Sequence, residues 1–395
     1  MRTFTLKGLF VTAVFMVLGC LAIHAADGLI TKQITIKLEK AGTLPDKIGS
    51  TKKKQITNLK IIGEINGTDL RMIREMARKD VRGNDTDGML SVLDLSEAKI
   101  VAGGDAYVRY GDNHYTSNDK LGDYVFYDCS GLTSLTLPSG LTEIGDAAFQ
   151  YCSGLTSITL PSGVTSIGDY AFSTCSGLTS ITLPSGVTKI GNNAFYGCSG
   201  LTNLTLPSGV TEIGYGAFYG CSGLTNLTLP SGLTEIGYGA FEACSGLTSI
   251  TLPSGVTSIG DYAFSTCSGL TSITLPSGLT EIGYAAFQYC SGLTSIYVYT
   301  EKLPKMGSSV FRDCDAKKCT VYVPKGTYDD YWLSEFGYFE NIVEFDPTGI
   351  SNVITSNDTK ELSRYSVNGQ RLSAPTKGLN IVKYSDGSVK KVVVQ

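Results

Sequence analysis

Eight cysteines fall on one period. Cys129, Cys152, Cys175, Cys198, Cys221, Cys244, Cys267 and Cys290 stand 23 residues apart. No two form a CxxC pair, so the spacing does not point to a thiolate zinc site. Rungs about 5 Å apart would meet the distance rule for a disulfide. Identical side chains in one column, however, point the same way. An inward column reads as small buried hydrophobes with weak S–H donors.

Other reactive groups are sparse. His114 is the one histidine beyond the N-terminal 25 residues, which nearly excludes histidine-dependent triads and histidine-rich metal sites. Standing alone, it reads as a solvated loop residue. No arginine occurs between Arg109 and Arg312, and Ser130 to Cys290 holds eight acids and one lysine over several columns. Glu212 and Glu235 would lie about 5 Å apart, the separation of a retaining glycosidase pair. Both fall in an exposed column, where a solvated face is the better reading. Asp85-Thr-Asp-Gly88 has the start of a calcium loop without its remaining ligands and reads as a turn. No catalytic residue, metal site or cofactor is expected, and a net charge of −4 argues neither for nucleic acid nor for an anionic membrane surface.

The elements that carry these side chains follow from the period. Ser153 to Cys175 reads SGLTSITLPSGVTSIGDYAFSTC, and Ser245 to Cys267 repeats it letter for letter. A fixed period of this length means a solenoid. Ile158 and Leu160 alternate with Ser157 and Thr159, a strand with one wet face. Leu160-Pro161-Ser162-Gly163 fits a type I turn. Val164 and Ile167 return to the core, and Gly168 is expected to take a backbone shape closed to other residues. Ala171, Phe172 and Cys175 have the spacing of one inward-packed helical or 3₁₀ turn. About 16 residues separate successive strands, enough for a crossover, so the strands should stack in parallel. The fold class is an α/β-type, mostly-β solenoid with a cap at each end and a small C-terminal β module.

Two outward columns flank each strand's buried residue. One is Ser or Asn, including Asn203 and Asn226, and the other is threonine throughout, including Thr159, Thr182, Thr205, Thr228 and Thr251. Threonine suits exposed strands, and the same columns would offer an uncharged hydrogen-bonding face. Variation concentrates at Asp169-Tyr170 and its equivalents, among them Tyr215, Tyr238 and Tyr284. Tyrosine there would either bind a ligand or stack along the array for stability.

The unit LxxLxLPxxVxxIGxxAFxxC resembles the BspA-like leucine-rich repeats of bacterial surface proteins. The resemblance rests on the seven clean units from Ser130 to Cys290 and, more weakly, on a leader matching Ala41–Leu44 and Ile56–Asp69. The asparagine of the common LxxLxLxxN pattern is missing, which leaves its role to the cysteine column. The resemblance implies adhesion: binding of a host extracellular protein, another cell-surface protein or a glycan. Polysaccharide capture and a structural spacer stand as alternatives.

Residues 1–25 have the basic end, apolar stretch and small-residue cleavage site of a secretory signal. Val17-Leu18-Gly19-Cys20 approximates a lipoprotein box, so lipidation at Cys20 stands beside ordinary cleavage. No later segment is apolar enough to span a bilayer. The chain is expected at the outer-membrane surface or outside the cell. In an exported chain, Cys314 and Cys319, off the 23-residue ladder, are the pair expected to oxidise. Residues 26–119 read as an N-terminal cap domain, 120–314 as the repeat solenoid, and 315–346 as a C-terminal cap with Trp332 in its core. Residues 347–395 read as a linker and a small β tail, which resembles the surface-sorting tails of some Gram-negative anaerobes.

Overall fold

The computed structural model describes residues 28–347 and, in the tail, 361–366, 371–372, 374–375, 377–384 and 389–394. The expected signal sequence, Cys20 and most of the expected linker lie outside the described residues. One helical turn of chain is one rung of the solenoid. Every rung adds a short strand to a thirteen-stranded sheet whose spatial order is its sequence order, from Ile34–Leu38 to Asn341–Phe345. All its pairings are parallel; within the repeats the register is one unit, as in Ile158↔Ile181 and Leu227↔Ile250. The middle residue of each three-residue strand is buried and its two neighbours are exposed, the alternation of a half-wet strand.

The second side carries two-residue strands in two separate parallel sheets. Five run from Lys120–Leu121 to Glu212–Ile213, and four from Glu235–Ile236 to Lys305–Met306. The turn before them is hydrogen-bonded from Val164 N to Pro161 O at 3.1 Å, one residue later than the sequence pattern indicated. Gly168 is not in the left-handed region. It is glycine because a Cβ there would stand 2.6 Å from Gly145 C and 2.7 Å from Asp146 N of the preceding rung.

The third side is neither helix nor strand. Tyr170 (φ 56°) and Thr174 (φ 59°) are left-handed, and their equivalents in other rungs are too. This alternation turns every second N–H toward the next rung: Phe149 N donates to Ala171 O and Tyr151 N to Ser173 O, both at 2.8 Å. A single inward helical turn would have kept those bonds within the rung. Inside, nine phenylalanines from Phe126 to Phe311 stack with centroids 5.1–5.7 Å apart and planes within 14° of parallel.

The open ends are closed by side chains that stand in for a missing rung. At the first rung, Tyr107 Oη donates to Asp123 O (2.9 Å), and Arg74 Nη1 donates to Val125 O (2.9 Å) and more weakly to Tyr127 O (3.4 Å). In the next rung the matching carbonyls, Asp146, Ala148 and Gln150, receive backbone N–H groups of Tyr124, Phe126 and Asp128. Arg74 is buried in the helix Gly67–Met76, whose Asn66 and Asp69 form a capping box. At the other end Phe311 meets Phe336 and Phe339, at centroid distances of 5.0 and 5.1 Å. Trp332 is 46% exposed, and it is Tyr331 that is buried there, its hydroxyl donating to Thr300 O at 2.8 Å. The tail strands Glu361–Ser366, Arg371–Leu372, Gly378–Tyr384 and Val389–Val394 form an antiparallel sheet of their own.

Candidate functional site

The ten cysteines among the described residues are free and buried. From Cys152 to Cys290 each repeat thiol donates to the phenylalanine carbonyl 26 residues back, as Cys175 Sγ to Phe149 O, Cys198 Sγ to Phe172 O and Cys221 Sγ to Phe195 O, all at 3.0–3.1 Å. The column therefore stitches rung to rung, the task the missing asparagine left open. Burial pushes the thiols of Cys198 and Cys244 up to about 12, so they remain protonated. The expected Cys314–Cys319 disulfide is absent. Cys314 is not off the ladder at all: its Sγ donates to Phe287 O at 3.2 Å, continuing the column. One extra residue hid it, because Ser272 still pairs with Ser295, 23 apart, whereas Glu281 pairs with Lys305, 24 apart. Cys319 is likewise a buried thiol.

The candidate catalytic groups do not assemble. Glu212 is paired with Lys189 at 2.7 Å, and Glu212 and Glu235 belong to different sheets. His114 lies in the hairpin strand Asp112–Thr116, half-buried with its ring 5.1 Å from that of Tyr124, rather than in a solvated loop. Asp85 is bound to Lys79 at 2.8 Å. Among the described residues no three His, Cys, Asp or Glu side chains gather as a metal site, and no helix is long and apolar enough to cross a membrane.

Two faces remain for recognition. The first is the outer side of the main sheet. Thr159, Thr182, Thr205, Thr228 and Thr251 are exposed and make no side-chain hydrogen bond within the described residues. Beside them Asn203 Nδ2 and Asn226 Nδ2 donate to Thr202 and Thr225 at 3.2 and 3.4 Å. Thr202 and Thr225 belong to a separate threonine column, whose hydroxyls donate to the preceding rung, as Thr156 Oγ1 does to Thr133 O at 3.1 Å. That column is structural, and the outer one is free.

The second face carries the tyrosines. One column on it is Asp123, Asp146, Asp169, Asn192, Tyr215, Tyr238, Asp261 and Tyr284. Where the residue is Asp or Asn, its Oδ1 accepts the N–H of its equivalent in the next rung, at 2.7–2.9 Å. Tyr215 and Tyr238 cannot do this. Between Thr211–Gly214 and Thr234–Gly237 the side sheet parts: Thr211 N and Gly214 N bond to Thr188 O and Ile190 O, and Thr257 N and Gly260 N bond to Thr234 O and Ile236 O, but Thr234 N and Gly237 N have no such bond among the described residues. A Cβ on Gly237 would find its nearest neighbour at 3.3 Å, against 2.5 Å at Gly191 and 2.6 Å at Gly214. Tyr215 is 62% exposed and Tyr238 51%. The structure thus places Tyr215, Tyr238 and Tyr284 on this face, away from the free threonines. The seam had no signal in hydrophobic periodicity, and the change from Asp or Asn to Tyr does not locate it alone, because after Tyr238 and Tyr284 the side sheet still pairs, Gly260 N and Gly307 N bonding to Ile236 O and Ile282 O at 2.7 Å.

The profile of the BspA type leucine rich repeat region matches in six copies over residues 119–245 and 211–328, more than half of the chain. A leucine-rich repeat protein from Bacteroides ovatus is 31% identical over 61% of this chain and 67% of its own, with a TM-score of 0.44. A leucine rich repeat protein of T. pallidum is 34% identical over 39% and 72%, TM-score 0.37. A leucine rich cell surface protein from Faecalibacterium prausnitzii is 24% identical over 82% and 92%, TM-score 0.36. No curated protein matches. With the repeat, its cysteine ladder and the profile in agreement, the chain belongs to the BspA type leucine-rich repeat family.

Proposed function

We propose that this is an exported, non-enzymatic surface protein that binds host extracellular proteins or the surface proteins of other cells through its solenoid. One observation carries the reading. The free threonine column (Thr159 to Thr251) repeats a solvent-facing hydroxyl at every rung, on a face without charge. Rungs about 5 Å apart present the same contact to an extended partner again and again, and several weak contacts on one scaffold raise avidity. The family supports a binding role, and Glu212, Glu235 and His114 offer no catalytic arrangement.

Glycan capture is the second reading, favoured by the exposed rings of Tyr215, Tyr238 and Tyr284. A screen of residues 26–395 against immobilised matrix proteins and polysaccharides separates the two. Protein binding weakened by Thr182→Lys and Thr205→Lys supports the first. Polysaccharide binding lost with Tyr238→Ala and Tyr284→Ala, but not with the threonine changes, replaces it with the second. No binding to either class leaves a spacer. Protease treatment of intact cells tests export: an undigested protein would refute a surface location.

A further inference from the structure

Glu242 is the one acid in its column. Tyr127, Gln150, Ser173, Tyr196, Tyr219, Ser265 and Gln288 occupy the equivalent place in other rungs. Tyr196 and Tyr219 stack at 4.8 Å, 7° from parallel, and Glu242 is the next position along that stack, joined to Tyr219's rung by Gly220 N donating to Glu242 O at 2.8 Å. The side chain is half-buried and its carboxylate has neither an ion pair nor a hydrogen bond within the described residues. Its Oε2 lies 3.2 Å from where a Cβ on Gly239 would stand. Elsewhere in the column that place holds Tyr170, Asn193 and Tyr262, with Gly216 in the preceding rung; here glycine leaves the carboxylate uncovered on that side. Tyr238 and Tyr262 pack edge to face beside it, with centroids 5.7 Å apart. Burial raises the Glu242 carboxyl and, first among the causes, the hydroxyls of Tyr219 and Tyr262, whose ionisation Glu242 also opposes. The carboxylate and these rings therefore share one neighbourhood.

Among the described residues no cation is paired with it. Residues 190–301 contain no lysine or arginine and six acids; of the nearest cations on either side, Lys189 and Lys305 are held by Glu212 and Glu281 at 2.7 and 2.8 Å, and Lys302 lies exposed more than two rungs further along the sequence. Tyr238 also sits where Asp or Asn would have bonded the next rung, so an exposed ring stands in place of a structural bond. Rule-breaking of this kind, with no gain inside the fold, marks functional positions.

We propose that Glu242, with Tyr219, Tyr238 and Tyr262, is a receptor for a lysine or arginine side chain on a basic segment of a partner protein. An ammonium or guanidinium is attracted both by ring faces and by an unpaired carboxylate. The uniformly negative field of the surrounding rungs would steer a basic segment toward it. The Tyr196–Tyr219 stack on one side and Tyr284, 5.2 Å from Tyr262, on the other extend the aromatic surface beyond one cation, which fits a segment of chain better than a small amine.

The assignment rests on the surface-binding reading, and the test keeps the two apart. Fluorescein-labelled hexalysine is titrated into residues 26–395 and followed by anisotropy, with circular dichroism confirming the fold of each variant. Glu242→Gln and Tyr238→Ala should each weaken binding about tenfold, added salt should weaken it further, and Glu301→Gln, an acid outside the cluster, should not. Equal affinity of the Glu242→Gln and parent proteins, or equal affinity for hexaglutamate, overturns the proposal. So does competition by tetramethylammonium as strong as by unlabelled hexalysine, since the site would then take a free amine. A partner from the screen that binds Glu242→Gln as well as the parent leaves the surface-binding reading intact and removes only this site. Hexalysine binding that depends on Glu242, with no protein partner in the screen, does the reverse.

Discussion

Cys198 Sγ and Phe172 O are 3.0 Å apart, one rung from each other. The bond requires a neutral thiol, and burial keeps it neutral, holding Cys198 at about 12 against an ordinary 9.0. In the unfolded chain these thiols ionise near the ordinary value. The folded state therefore binds more protons above that pH, and stability must fall as pH rises. The contribution is complete below pH 9 and is lost progressively toward pH 12. Thermal melts between pH 7 and pH 11 should show a flat transition temperature up to about pH 9 and a steep fall beyond it. Replacing Cys198, Cys221 and Cys244 together by serine should soften that fall. A thiol reagent at neutral pH should find the repeat cysteines only after denaturant is added.

Phe218 and Tyr238 test which side of the repeat is inside. Phe218 is wholly buried between Phe195 and Phe241, at 5.4 and 5.5 Å. Phe218→Ala should cost about 3–5 kcal/mol from lost transfer energy and the cavity. Tyr238→Ala, half in water, should cost less than about 1 kcal/mol. Urea denaturation of both variants measures the difference.

Arg74 is a harder position. Its Nη1 serves Tyr124 O and Val125 O at 3.0 and 2.9 Å, while its buried Nε and Nη2 have no partner. Arg74→Met removes an unpaired buried charge but strands the Val125 carbonyl. Loss of a charged donor to a buried acceptor should dominate, at about 1–3 kcal/mol. Hydrogen exchange should then quicken first at Phe126 and Asp128, in the rung that lost its cap.

Tyr215→Asp should mend the seam. An Asp Oδ1 would again stand opposite Tyr238 N, as Asp169 Oδ1 does opposite Asn192 N at 2.8 Å. One charge-assisted bond predicts a gain of about 1 kcal/mol. Before the change, the amides of Thr234 and Gly237 should exchange faster than those of Gly214 and Gly260. Afterwards the difference should shrink.

The repeat itself was legible because its signals are local and multiplied. Ile158, Val164, Ile167, Phe172 and Cys175 recur at fixed offsets, and any chain that stacks must bury them together. Features that depend on one rung meeting another were not legible. Periodicity puts both Tyr331 and Trp332 within reach of a core, and it is the Thr300 carbonyl that decides between them. Tyr170 and Thr174 do not themselves favour the left-handed region, and the signal lay in their equivalents Asn193, Gly216 and Gly239, and Gly197 and Gly220, whose types do. Arg74 reads as the polar face of an amphipathic helix until the bare carbonyls of the first rung are known. Glu242 reads as one more solvated acid until the register brings it under Tyr219.

The seam at Gly237 is one-sided. The main sheet runs unbroken through Leu204, Leu227 and Ile250, and the phenylalanine stack through Phe218 and Phe241, while only the side sheet parts. A beam slit along one side yields toward one direction and stays stiff in the other. Tension along the solenoid axis would widen the slit in the side sheet before the thirteen-stranded sheet or the third side gave way. Beside Tyr215 and Tyr238 the third side stays stitched, Gly216 N donating to Tyr238 O at 2.9 Å, so the widening would be confined to Glu212–Ile213 and Glu235–Ile236.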